Sequence, residues 1–131
     1  MLALPADHPL AAVDGIDPGD LADERFVGWP RHLGEDFFDI VIAFCREHGF
    51  SPQVITEGAD IDSQLALVAA GFGVSLQPSF YAVAAPEGVV FRPLGGPSPE
   101  VALQLAWRHD ALPVTAQFVA AALALRPPHG R

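Results

Sequence analysis

The sequence predicts an α/β domain with a mainly parallel sheet flanked by helices. Three observations carry that prediction. Short apolar runs alternate with amphipathic stretches along the whole chain. The stretch from Glu35 to His48 has its apolar residues at helical spacing. The stretch EVALQLAWRHD (100–110) is apolar on both faces, as a strand covered by helices on either side would be. At 131 residues, half of them hydrophobic, the chain has the size and composition of one folded domain.

The elements follow in order. VDGIDPGDLADE (13–24) reads as a short acidic helical piece entered through Pro18, and RFVGW (25–29) as a strand stopped by Pro30. In the long helix, Phe37, Ile40, Val41 and Phe44 share one face, while Asp36, Asp39, Arg46 and Glu47 fall mostly opposite. Its first turn is acidic, which suits the positive end of the dipole, and Gly49 stops it. PQVITEG (52–58) is a strand, after which Asp60 caps a helix through DSQLALVAAG that Gly71 and Gly73 end. GVSLQP (73–78) is a short buried strand broken by Pro78, and PSFYAVAA is a further helical piece. Pro86–Gly88 turns the chain into VVFRPL (89–94), and GGPSP (95–99) is its most linker-like stretch. PVTAQFVAAALAL (113–125) is a final helix with Pro113 at its start, and the tail RPPHGR is expected to fray.

Composition excludes several classes of function. No apolar run approaches the roughly 18–20 residues of a membrane span. The opening MLALPADHPLAAV lacks a positive segment ahead of its apolar stretch, so no export signal is expected and the cytoplasm is the expected location. The formal net charge is −9, and all seven cations are arginine. A surface of that charge repels a phosphate backbone, so these residues alone are not expected to bind DNA. The single cysteine, Cys45, lies beside Phe44 in an apolar stretch and reads as a small buried hydrophobe.

Glu57, Asp60 and Asp62 invite a metal reading, but their spacing fits neither a calcium loop nor a histidine-containing site, and Asp60 already has a role as a cap. Ser79, His48 and Asp39 do not make a nucleophile site: nothing like a nucleophile elbow surrounds the serine, and His48 closes a helix. No metal, no cofactor and no enzymatic activity are expected.

The order of motifs is similar to that of a known family. LPADHPLA, then RFVGWPR and a helix ending CREHGFSP, then LALVAAGFGVSLQP, then VVFRPL, and last LAWRHD together resemble the effector-binding domain of LysR-type transcriptional regulators. The resemblance spans about residues 2 to 125, and LALVAAGFGVSLQP with the following FRPL is its most specific part. It implies a periplasmic-binding-protein-like fold of type 2. In that fold residues 9–92 would form the second subdomain, and residues 1–8 and 93–131 would be crossover and return segments of the first. It implies a homodimer and a DNA contact made only through a winged helix-turn-helix domain that these residues lack, as if truncated at the N-terminus.

The resemblance also places a site. The effector of such regulators sits between the subdomains, against the loop and helix N-terminus that follow the first strand of the second subdomain. Here that is Pro30 to Phe37, with Arg31 and His32 side by side just ahead of a helix. Free backbone N–H groups and a positive dipole end suit a carboxylate, and Arg31 can add a bidentate contact. Phe37, with Trp29 beside the loop, would face an apolar or aromatic ligand. The expected contacts are Pro30, Arg31, His32, Gly34, Glu35 and Phe37, together with Gln77 and Pro78 at the end of the GVSLQP strand. The plainer alternative leaves Arg31 and His32 as solvated residues paired with Asp20, Asp23 or Glu24, and Phe37 as core. A small organic acid is the expected partner. A freestanding fragment that self-associates, or pairs with full-length regulators, is the alternative to a sensing module.

Overall fold

The computed structural model describes residues 1–101 and 104–125. Contacts group the chain into two units, Met1–Val101 and Ala102–Arg131.

In the first unit five strands make two sheets. β1 (Leu2–Pro5) lies between β4 (Ser75–Leu76) and β5 (Val89–Arg92), antiparallel to both, while β2 (Arg25–Gly28) and β3 (Gln53–Glu57) pair in parallel. A parallel bridge between Phe26 and Val74 links the two. Val27 N–H donates to the Val74 carbonyl and Val74 N–H to that of Arg25, each at 2.8 Å. Gly73 precedes this bridge, and a Cβ there would collide with the Arg25 carbonyl, so the close approach requires glycine. The expectation of a mainly parallel sheet is corrected to a mixed one. Two connections, β2 to β3 and β3 to β4, pass through helices and keep their strands parallel, but β1 runs against its neighbours. Leu2–Pro5 is the central strand of the antiparallel sheet.

The alternation of a strand distributes β1 between two cores. Leu2 and Leu4 join Ile16, Leu21, Phe26, Phe44, Cys45 and Val74 on one side, while Ala3 joins Val27, Leu65, Val68 and Phe91 on the other. Helix α1 (Glu35–Glu47) supplies Phe44 and Cys45 to the first cluster, and α2 (Ile61–Ala69) supplies Leu65 and Val68 to the second. The sheet is thus flanked by helices, as expected. Burial of Leu2 and Leu4, each 0% exposed, is worth about 1.5–3 kcal/mol apiece.

Several local expectations hold. Gly49 and Gly71 take φ of +85° and +77° after their helices. Asp60 caps α2 through a reciprocal box: its carboxylate accepts from Ser63 N–H at 2.7 Å, while Ser63 Oγ lies 3.1 Å from Asp60 N. The Asp60 carboxyl is held below its ordinary range, first by that backbone hydrogen bond and then by the Ser63 side chain. Cys45 is buried, and burial pushes its thiol up to about 11. The pieces at Pro18–Leu21 and Ser79–Ala84 are 3-10 helices.

In the second unit, α3 (Pro113–Ala124) starts at Pro113 as expected. The expected strand over 100–110 is not formed at residues 104–110, which are irregular, and its residues 102 and 103 lie outside the described residues. Leu105 and Trp107 are exposed. A strand needs a neighbour for its backbone groups, and among the described residues no strand pairs with this stretch. The tail 126–131 also lies outside the described residues. No helix among the described residues is long and apolar enough to cross a membrane.

Candidate functional site

The carboxyl ends of β2, β3 and β4 come together where the chain leaves for α1, α2 and the Ser79 turn. Crevices of this kind, at the strand ends of open α/β sheets, receive ligands. Gly58 N–H donates to the Gly28 carbonyl at 3.2 Å and ties the ends of β2 and β3 together. Beneath α1 lies a cavity of about 30 Å³, walled by Phe26, Trp29, Phe37, Phe38, Val41 and Val54, with Gln64 and Ser75 among its lining. That is room for about two water molecules.

The polar part of this wall is one connected network. Gln77 Nε2 donates to Gln64 Oε1 at 2.6 Å and to Ser75 Oγ at 2.9 Å. Gln64 Nε2 donates to the Gly58 carbonyl at 3.2 Å, and Ser75 Oγ donates to the Val27 carbonyl at 2.9 Å. Gln64, Ser75 and Gln77 are all buried. The network therefore joins the strand ends to α2 and satisfies groups that burial would otherwise penalise. Sequence reading named Gln77 and missed Gln64 and Ser75. A signal for Gln64 was present: it shares the buried face of α2 with Leu65 and Val68, and a buried amide requires a polar partner.

The loop before α1 is a single 3-10 turn, Arg31–Leu33, entered through the buried Pro30. Gly34 serves as N-cap of α1 and offers no side-chain acceptor to the first-turn N–H groups. A Cβ at Gly34 would lie 2.7 Å from Trp29 Nε1. The indole N–H is shielded from solvent and has no hydrogen-bond partner among the described residues. Phe37 is half-buried and walls the cavity, whereas His32 and Glu35 are exposed. Pro78 is half-buried and opens the Ser79–Ala84 turn.

Arg31 does not pair with Asp20, Asp23 or Glu24. Its Nε and Nη2 donate to the two carboxylate oxygens of Asp39 at 3.2 and 3.0 Å, and Nη1 lies 3.6 Å from Glu35 Oε1. The hydrogen bond to Asp39, its charge and then that of Glu35 raise the guanidinium pKa, while the Arg31 hydrogen bond holds the Asp39 carboxyl below its ordinary value. Both side chains are more than half exposed. Arg31 and Phe37 thus stand at the same helix start, with Gln77 in the network on the strand ends. Among the described residues no group of three His, Cys, Asp or Glu side chains could hold a metal ion.

A model of the LysR substrate binding domain matches residues 1–126, and the chain belongs to that family. It is 35% identical over 106 residues to the transcriptional regulator ShiR of Corynebacterium glutamicum (strain R), covering 81% of this chain and 36% of ShiR. The chain thus spans about a third of the length of the curated relatives it matches. Those relatives are transcriptional regulators. Two solved structures share the fold. The regulatory domain of Synechocystis PCC6803 CcmR in complex with 2-PG has a TM-score of 0.72 at 19% identity, over 95% of this chain and 61% of that one. The effector-binding domain of QuiR in complex with shikimate has a TM-score of 0.65 at 22% identity, over 94% and 58%.

Proposed function

We propose that the chain is the effector-sensing module of a LysR-family regulator and binds a small organic carboxylate at the start of α1. The observation that carries this reading is the uncapped N-terminus of α1 after β2, with Arg31 in the turn before it and Phe37, which walls the cavity beneath α1, in its first turn. Backbone N–H groups there suit a carboxylate, and the wall suits a hydrophobic remainder. The shikimate held by QuiR and the 2-PG held by CcmR, both of the same fold, support the choice of ligand class. Ligand binding would favour one arrangement of the effector domain, and a homodimer would pass that preference to winged helix-turn-helix domains on the DNA in the cytoplasm. The chain's own charge of −9 supports leaving DNA contact to that separate domain.

The test is a titration of this chain with shikimate and benzoate, each against its amide analogue, followed by NMR at the Trp29 indole N–H and the backbone amides of Glu35 to Phe37. The acids are expected to shift these resonances and the amides are not. Equal shifts from acid and amide would overturn the carboxylate reading.

A second reading, a freestanding fragment that self-associates or pairs with full-length regulators, is favoured by one observation. Trp107, Leu112, Val114, Phe118 and Leu125 are all more than half exposed. A clean monomer by light scattering would count against the self-association half of this reading.

A further inference from the structure

We propose that Asp39 is a built-in competitor for the effector, so that ligand binding is an exchange of one carboxylate for another on Arg31. The inference rests on the carboxylate reading above and adds the residue that sets its threshold. Asp39 engages Arg31 fork on fork, through Nε and Nη2 at 3.2 and 3.0 Å. That edge of the guanidinium is one that recognises a carboxylate bidentately. Glu35 stands 3.6 Å from the remaining nitrogen, so all three guanidinium nitrogens face acids of α1.

The pairing does not follow from helical spacing. Arg31 lies in the preceding turn, and Gly34 breaks the backbone between them with φ −172° and ψ 71°. The loop conformation itself brings Arg31 alongside the second turn of α1. Both partners are more than half exposed, and ion pairs of that kind are held weakly against water and salt. A competitor of this strength raises the threshold without closing the site.

Selectivity follows from the exchange. An incoming acid replaces like with like at Arg31, so its charge alone brings little advantage. The gain must come from what Asp39 cannot offer, namely contact with the Phe37 and Trp29 wall and with the first-turn N–H groups. Small anions such as chloride or acetate lack the first of these and should displace Asp39 poorly. An organic acid with an apolar or ring-bearing body is the class that fits.

The experiment follows the backbone amide resonances of Glu35 to Phe37, with the Arg31 Nε–H where that residue is kept, during titration of this chain with benzoate and shikimate at constant ionic strength, in wild type, Asp39→Asn, Asp39→Ser and Arg31→Ala. If Asp39 occupies Arg31 for about 70–90% of the time, removing it lowers the apparent Kd of the acids roughly three- to tenfold. Both Asp39 variants should show this gain, and Arg31→Ala should bind more weakly than wild type. An unchanged Kd in both Asp39 variants, with Arg31→Ala still weakened, overturns the competition and leaves the carboxylate reading standing. Binding insensitive to Arg31→Ala, or no response to either acid in any variant, overturns both.

Discussion

Replacing Gln77 with leucine tests whether the buried network holds the strand ends together. The substitution removes the two hydrogen bonds that the Gln77 amide donates, to Gln64 Oε1 and to Ser75 Oγ. Ser75 keeps its bond to the Val27 carbonyl, so its loss is partial. Gln64 Oε1 loses the partner it has, in a residue 1% exposed. An orphaned buried acceptor costs about 1–3 kcal/mol and a lost neutral hydrogen bond about 0.5–1.5, so the expected destabilisation is about 2–4 kcal/mol. Gln64→Leu acts in the same way from the other end and also strands the Gly58 carbonyl. With both glutamines replaced, neither leaves the other unpaired. The double variant should therefore cost less than the sum of the singles, by about 1–2 kcal/mol. Urea unfolding of the 131-residue chain is the assay, with the change read from the midpoint at constant slope. Single variants within about 0.5 kcal/mol of wild type, or costs that add to within that amount, would refute the reasoning.

The remaining predictions concern single groups. With its thiol pushed up to about 11, Cys45 should resist alkylation by iodoacetamide at pH 8 in the folded chain and react readily once guanidinium unfolds it. Rapid native labelling would contradict its burial. Asp60 has a folded pKa below its unfolded value of about 3.9. Its contribution to stability is therefore fully present above that value and lost as pH falls through the lower folded one. Thermal unfolding between pH 5 and pH 2.5 should show a steeper loss in wild type than in Asp60→Ala, and parallel curves would remove the cap from the account.

Much of the fold was legible because local rules and tertiary packing agreed. The spacing of Phe37, Val41 and Phe44 gave α1, and Asp60 as a cap gave the start of α2. The misreadings share one cause: they required knowledge of a distant partner. EVALQLAWRHD has the composition of a buried strand, yet composition cannot supply a neighbouring strand. The run LALP is short and ends in proline, and nothing local in it shows that it is the central strand between two segments far along the chain. The site was half legible for the same reason. The loop before α1 is singled out by the family resemblance and its charges, but the alternative partners of Arg31 were sought upstream, because residues eight apart across a backbone break have no local rule that joins them. Gln77 was visible at a strand end, whereas Gln64 was hidden in a helix face that otherwise reads as apolar.

The position of β1 has a consequence for how the chain is made. Leu2 pairs with both Leu76 and Arg92, so the first strand of this sheet to leave the ribosome waits for the last. At a synthesis rate of about 5–20 residues per second, the roughly ninety residues between them take about 5–20 s to appear. Until Ser75 and Leu76 emerge both edges of this apolar strand are open to any other chain, and one edge stays open until β5 follows. Its sheet closes by long-range pairing, which is slow to form and exposed to misassembly while it does. A chaperone that shields Leu2–Pro5 during synthesis would therefore act on the strand around which this unit is completed.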